Sequence, residues 1–194
     1  MLNALAVGLV LAGSPAPAPA PAAAQAPAAA PAPAPAPAPK PTAQATLKDA
    51  NGKVIATARF TQGPRGVLLA LDVADAPPGA HAFHVHEKGA CESKDGFKSA
   101  GGHFNPTNKK HGFLASEGRH CGDMPNVDIP ASGKVQTEFF LEDLTLAPGV
   151  ATSLFDADGS ALVLHVKGDD YRSDPTGEAG GRMACGVVEA VKEP

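Results

Sequence analysis

Two histidines one residue apart, His84-Val85-His86, stand inside a run of strand-forming residues. In an extended strand, side chains two apart leave the same face, so both imidazoles can converge on one ion. His103, His111, His120 and Asp123 follow at gaps of eight, nine and three residues, and the apolar run Leu162-Val163-Leu164 ends on His165. Six of the seven histidines fall into this pattern. Imidazole suits copper and zinc, and a carboxylate beside three imidazoles is a plausible zinc donor set. There are more ligands than one ion needs, which points to two ions close together. A solitary strand histidine is ordinarily structural, and His81, on the opposite strand face with Phe83 and Val85, is read that way.

Such a set needs a rigid scaffold, and the chain from Thr42 onward reads as β. Thr42–Asp49 and Lys53–Thr61 flank Asn51-Gly52, a hairpin signal because both residues accept positive φ. Val67–Val73 follows, then Ala80–Glu87 with the histidine pair, Val135–Leu141, a short segment near Ser153–Phe155, Ala161–Val166 and Met183–Val191. These make about eight short strands with Gly/Pro punctuation and no useful helical period, which predicts an antiparallel sandwich or barrel. Residues 88–126 form one long loop and Lys167–Arg182 a second. A loop as long as the first is uncommon unless it has a task; here bound metal is expected to order what apolar burial does not.

The N-terminal part has another character. Residues 1–14 are apolar and too short to span a bilayer, so they read as the core of an export signal, although no Lys or Arg precedes them. Leu11-Ala12-Gly13-Ser14 resembles a lipobox with Ser in place of the lipidated Cys. Residues 15–41 alternate Pro and Ala, which excludes helix interior and sheet ladder and predicts a polyproline II spacer reaching about 80 Å, read as a membrane or envelope tether. Residues 42–194 are then the folded domain. The net charge of −4, with no basic run, excludes a nucleic-acid footprint. The expected location is outside the cytoplasm, in the periplasm, envelope or medium. There, three cysteines reduce most simply to one disulfide and one thiol. A Cys91–Cys185 bridge would staple the first loop to the last strand, for roughly 4.6 kcal/mol in the chain-entropy model. Cys121 points away from its neighbour His120 in extended chain and is read as no ligand to the same ion.

The motifs Phe-His-Val-His-Glu (83–87), Gly-Gly-His-Phe-Asn-Pro (101–106), Lys-Lys-His-Gly (109–112), Arg-His-Cys-Gly-Asp-Met-Pro-Asn (119–126), Leu-Val-Leu-His (162–165) and Gly-Arg-Met-Ala-Cys-Gly-Val (181–187) closely resemble the copper/zinc superoxide dismutase family, over about residues 43–192. The resemblance implies an all-β fold, an eight-stranded antiparallel Greek-key β-barrel of immunoglobulin-like sandwich kind with two long functional loops. It implies one copper held by His84, His86, His103 and His165, and one zinc held by His103, His111, His120 and Asp123. His103 is then shared as an imidazolate, whose second proton can be lost between two cations. Asp169 matches the carboxylate that links His84 to His111, Arg182 the arginine that steers the anion, and Thr176 the small residue narrowing the channel. The implied reaction is disproportionation of superoxide to oxygen and hydrogen peroxide by alternate reduction and reoxidation of copper, with His103 carrying a proton.

Three departures stand out. Lys167–Glu178 is shorter than in eukaryotic members and carries Arg172, Asp174 and Glu178 in place of their Glu-Glu-Lys cluster; Phe113-Leu114 stands where Gly-Pro is frequent; and Cys121 is unusual. A non-enzymatic copper/zinc module is the competing reading, but such derivatives lack copper ligands or the arginine. An adhesion module on a Pro-rich stalk would leave six converging histidines without a purpose. Superoxide is the expected partner, and monomer and homodimer both stay open.

Overall fold

In the computed structural model, which describes residues 43–191, the strand pattern follows the alternation of apolar side chains. The signal-like segment 1–14 and the Pro/Ala tract 15–41 lie outside the described residues. Ten strands occur: β1 (Ala43–Asp49), β2 (Val54–Gly63), β3 (Gly66–Val73), β4 (Gly79–His81), β5 (Phe83–His86), β6 (Val127–Ile129), β7 (Val135–Leu141), β8 (Ala161–His165), β9 (Arg182–Val187) and β10 (Glu189–Ala190). Ala43, Ala45 and Leu47 of β1 and Val67, Leu69, Leu71 and Val73 of β3 are buried, as period-2 alternation requires.

All named pairings are antiparallel, in the order β5-β8-β9-β1-β2-β3-β7 with β10 on the far part of β1, and β4 pairs with β6 in a separate two-stranded ladder. Neighbours such as β5 and β8, or β3 and β7, are distant in sequence, as Greek-key connectivity demands. The sheet curls around a core of Leu47, Phe60, Leu69, Phe83, Met124, Leu154, Leu162 and Leu164. The expected all-β antiparallel architecture is present, as a sheet curled into a half-barrel.

Its details correct the sequence reading at four points. The run 80–87 is two strands, because the backbone of Ala82 turns from β6 toward Lys167 and His165, whose groups it bonds at 2.8 and 2.9 Å. Val127–Ile129, a segment to which the sequence assigns no element, is β6 because it finds β4. Ser153–Phe155 is no strand and makes only an isolated bridge to Thr145. At the hairpin only Gly52 takes positive φ, 83°. The loop has three residues between Asp49 and Lys53, and the Asp49 carboxylate accepts from the N–H groups of Asn51 and Lys53 at 2.9 Å, so a longer turn with a glycine at its end replaces the two-residue form.

The long first loop is tied down by more than an ion. It lies along the free edge of β5, where Val85 N–H donates to Gly122 O at 2.9 Å, Phe104 N–H to Val85 O at 2.8 Å and Gly122 N–H to Phe104 O at 2.8 Å. Gly122 is needed there because a Cβ would run into the Val85 carbonyl. Phe97, Ala100 and Cys91 of the loop pack on Ala161, Val163 and Cys185, forming a second small core on the outer face of the barrel. The Cys91–Cys185 disulfide closes this patch.

Candidate metal centre

The register of two strands decides where the chemistry sits. His84 lies opposite Val163 and His86 opposite Ala161, and both partners face the outer core beneath the first loop. Phe83, Val85, Leu162 and Leu164 take the inner face. His165, two residues after Val163, joins the outer side. A register shift between Leu164 and His165 in the pairing with β9 sets His165 opposite Arg182. The centre is therefore on the outside of the barrel, under the first loop rather than inside the sheet.

Two four-residue clusters result, with His103 in both, and a smaller group of His84, His111 and Asp169 lies between them. The ligand atoms of His84, His86, His103 and His165 lie within 4.8 Å of one another, as do those of His103, His111, His120 and Asp123. All seven residues are buried. In the second cluster Asp123 Oδ1 is 2.9 Å from His103 Nδ1 and 3.2 Å from both His111 Nδ1 and His120 Nδ1. His103 thus turns Nδ1 to this cluster and its Nε2 to the other. Asp123 Oδ2 accepts from the Gly112 and His120 N–H groups at 2.9 and 3.0 Å, which orients the carboxylate.

Asp169 connects the clusters from behind: His84 Nε2 donates to its Oδ2 at 2.8 Å and His111 Nε2 to its Oδ1 at 3.0 Å. Its oxygens are thereby engaged, and the ring nitrogens left over are those facing the clusters. His86 Nδ1 likewise donates to Gly101 O at 3.1 Å. His81, also buried, contacts the carbonyls of His165 and Pro77 at 2.9 and 3.0 Å and so braces the backbone of His165 without entering either cluster.

What remains unpaired is the informative part. His84 Nδ1, His86 Nε2, His103 Nε2 and both nitrogens of His165 are buried with no hydrogen-bond partner, and His111 Nδ1 has only the Asp123 carboxylate, at 3.2 Å, beside it. A buried polar atom without a partner costs about 1–3 kcal/mol, and native interiors hold few of them. A neutral imidazole has one N–H and one lone pair, so His84, His86, His103 and His165 can turn four lone pairs toward one cation, and such a set, with the three imidazoles and the Asp123 carboxylate beside it, fits copper and zinc.

The electrostatics of the two clusters differ. Burial pushes His86 well below its ordinary range, aided by His103. Burial likewise brings His165 down to about 3, and His103 to about 4 despite its bond to Asp123. For His111 burial is overcome by Asp123 and Asp169, which raise it to about 9. Burial works against ionising Asp123 and Asp169 too, yet the surrounding imidazoles hold both far below the usual carboxylate range.

A cavity of about 600 Å3 opens onto the copper-side cluster, lined by His86, His103, His165, Thr176, Arg182 and Lys98 among others. Arg182 is half-buried and donates to the carbonyls of Phe97 and Gly101, the latter at 2.6 Å. Phe97 has φ 63°, a left-handed conformation for a bulky residue. Every sequence-predicted site residue is thus gathered here except Cys91 and Cys185, which form the disulfide nearby. Lys98 at the cavity wall and Asn126 behind Asp169 were not singled out, since an exposed Lys and a polar residue before a strand carry no signal of their own. Cys121 packs in the main core, with Sγ 3.6 Å from Thr107 Oγ1.

Comparison with known proteins agrees with this geometry. Residues 54–188 match the family model described as copper/zinc superoxide dismutase. The chain is 48% identical over 146 residues to a protein of Aquifex aeolicus named superoxide dismutase [Cu-Zn] 1, covering 75% of this chain and 86% of that one. A superoxide dismutase [Cu-Zn] of Caulobacter vibrioides is 41% identical, with 76% and 86% covered. The crystal structure of a SOD-like protein from Bacillus subtilis superposes with a TM-score of 0.70 at 36% identity, over 74% of this chain and 96% of that one.

Proposed function

The chain belongs to the copper/zinc superoxide dismutase family, and from that membership we propose how its residues divide the work. The activity is disproportionation of superoxide: two superoxide anions and two protons become one O2 and one H2O2. Bound copper supplies the one-electron chemistry, while zinc, which has no redox chemistry, holds the structure. His84, His86, His103 and His165 hold copper; His103, His111, His120 and Asp123 hold zinc. The convergent, unpaired ring nitrogens of His84, His86, His103 and His165 are the observation that carries this reading.

Each residue's task follows from its place. Arg182, fixed by two carbonyls at the cavity wall, is a cation that draws the anion inward and orients it. Lys98 adds a second positive group to the lining of the same cavity. Burial depresses the Arg182 pKa, yet a guanidinium starts so high that it stays charged at neutral pH. Thr176 narrows the entry. His103 has one nitrogen toward each cluster, so its Nε2 would either face copper or, released from it, hold one of the two protons that the reaction consumes. Asp169 holds the tautomers of His84 and His111 by accepting hydrogen bonds from their Nε2–H groups.

Residues 42–194 form the catalytic domain, exported to the periplasm, envelope or medium, with residues 15–41 as its tether. The disulfide and an anionic substrate that crosses membranes poorly support that location. The alternative, a metal-binding module without turnover, is weakened by the presence of all four copper-side histidines and of Arg182 together.

Pulse radiolysis of protein reconstituted with copper and zinc tests the reading. Superoxide should disappear near the diffusion limit, in proportion to bound copper, and more slowly as salt rises. Decay no faster than free copper explains would leave a metal-storage domain. Arg182→Gln should slow the decay and flatten its salt dependence, because the steering charge is gone.

A further inference from the structure

We propose that Asn126 and Tyr171 form a latch that positions Asp169, and through it tunes zinc retention in the cluster of His103, His111, His120 and Asp123. The inference rests on the reading that this cluster takes zinc. Neither residue is among the copper-side or zinc-side ligands, and both act through Asp169, so both are positioning residues.

Asp169 sits in an Asp- and Gly-rich loop, where little apolar packing fixes it, yet its two oxygens must meet rings on two different segments. Asn126 supplies the fixed point. Its Oδ1 accepts from Asp169 N–H at 2.8 Å and its Nδ2 donates to Asp169 O at 3.0 Å, a two-point grip on one residue's backbone. Its own N–H donates to the Tyr171 hydroxyl at 2.8 Å. Tyr171 in turn donates its N–H to Asp169 Oδ1 at 2.6 Å, so the side chain is held as well as the backbone.

The latch also reaches the turn that carries His111. Leu114 N–H donates to Tyr171 O at 3.0 Å, and the Tyr171 ring meets Phe113 edge-on at 5.9 Å. Gly112 is packed so tightly on this carbonyl that a Cβ would overlap it. Tyr171 adopts φ 62°, a conformation rare for an aromatic residue, which allows all these contacts at once. Functional sites are where such outliers gather. Three segments distant in sequence, 112–114, 126 and 169–171, are thereby locked around one carboxylate.

The test compares Asn126→Ala and Tyr171→Phe with the full wild-type chain. Zinc and copper affinities are read by chelator competition, and cobalt in the zinc position by its visible absorption. Loss of an outer partner weakens metal binding about 10–100-fold. Asn126→Ala should weaken zinc binding about tenfold, and Tyr171→Phe, which removes one bond and keeps the ring, about threefold. Copper affinity should stay within about twofold, because its histidines rest on the β5–β8 ladder, and the cobalt bands should shift. Zinc affinity unchanged in both variants, or equal losses of zinc and copper alongside a lower metal-free melting midpoint, would overturn the latch. If Asn126→Ala does not fold, Tyr171→Phe decides by the same criteria. A wild-type chain that takes up neither ion would instead sink the metal reading on which the latch depends.

Discussion

The two clusters share His103, but the cluster of His84, His86 and His165 is built on strands and that of His111, His120 and Asp123 on a loop. On the strand side, the antiparallel ladder between β5 and β8 sets the spacing of the rings before any ion arrives. Burial keeps the His86 and His165 imidazoles neutral, which is the form that binds metal. On the loop side, one carboxylate stands among three rings, and a second, Asp169, stands behind His111. Without zinc that side holds a proton on His111 in place of the ion. One half is preformed and waits for its metal; the other trades a proton for it.

The sharpest break of this comparison is a pair of ligand deletions. His84→Ala should abolish copper-dependent superoxide decay, a loss beyond the roughly 100-fold ceiling for outer partners, whereas His111→Ala should leave copper bound and measurably active. Equal loss of copper in both variants would erase the distinction between the halves.

Removing zinc while keeping copper should act mainly on stability. Binding at 1,000 times Kd contributes about 4 kcal/mol, which for a domain this size corresponds to a fall of about 10 °C in melting midpoint. Amide exchange should rise across residues 105–121 while β5 and β8 stay protected. Uniform deprotection would mean that the loop is not a separate unit.

Asp169→Asn probes the link between the halves. It should weaken zinc binding about 10–100-fold, with a smaller effect on copper, as measured by metal analysis after graded chelation.

The metal-free protein should have two stability arms. His103 and His165 have folded pKa values below the ordinary value, near 4 and 3, so protons favour the unfolded chain; stability is full above about pH 6.5 and falls as pH drops toward 3. His111 is raised, to about 9, so its contribution is full below about pH 6.5 and fades as pH rises through 9. Zinc uptake at pH 7 should release about one proton, detectable by calorimetry in buffers of different ionisation enthalpy. The smallest effect belongs to Cys121→Ser, which should keep zinc, copper and activity, because the thiol packs in the core rather than in a cluster. Zinc loss there would extend the loop-built half to include it.

Period-2 alternation made most strands legible, and Val135–Leu141 coincides with β7 from end to end. Where the reading failed, the reason lay outside the segment. Val127–Ile129 becomes a strand through a partner nearly fifty residues earlier, and Ser153–Phe155 lacks one. The site was legible in its ligands because His, Asp and their order are written along the chain, and the i, i+2 spacing of His84 and His86 already puts them on one face. The side of the sheet that became the site, the bonds that leave particular ring nitrogens unpaired, and the grip of Asn126 and Tyr171 on Asp169 came only with the tertiary structure. Those features depend on register and on hydrogen bonds between residues 43 to 85 positions apart. Residue types decide which atoms can bind a metal; the fold decides which lone pairs are left facing it.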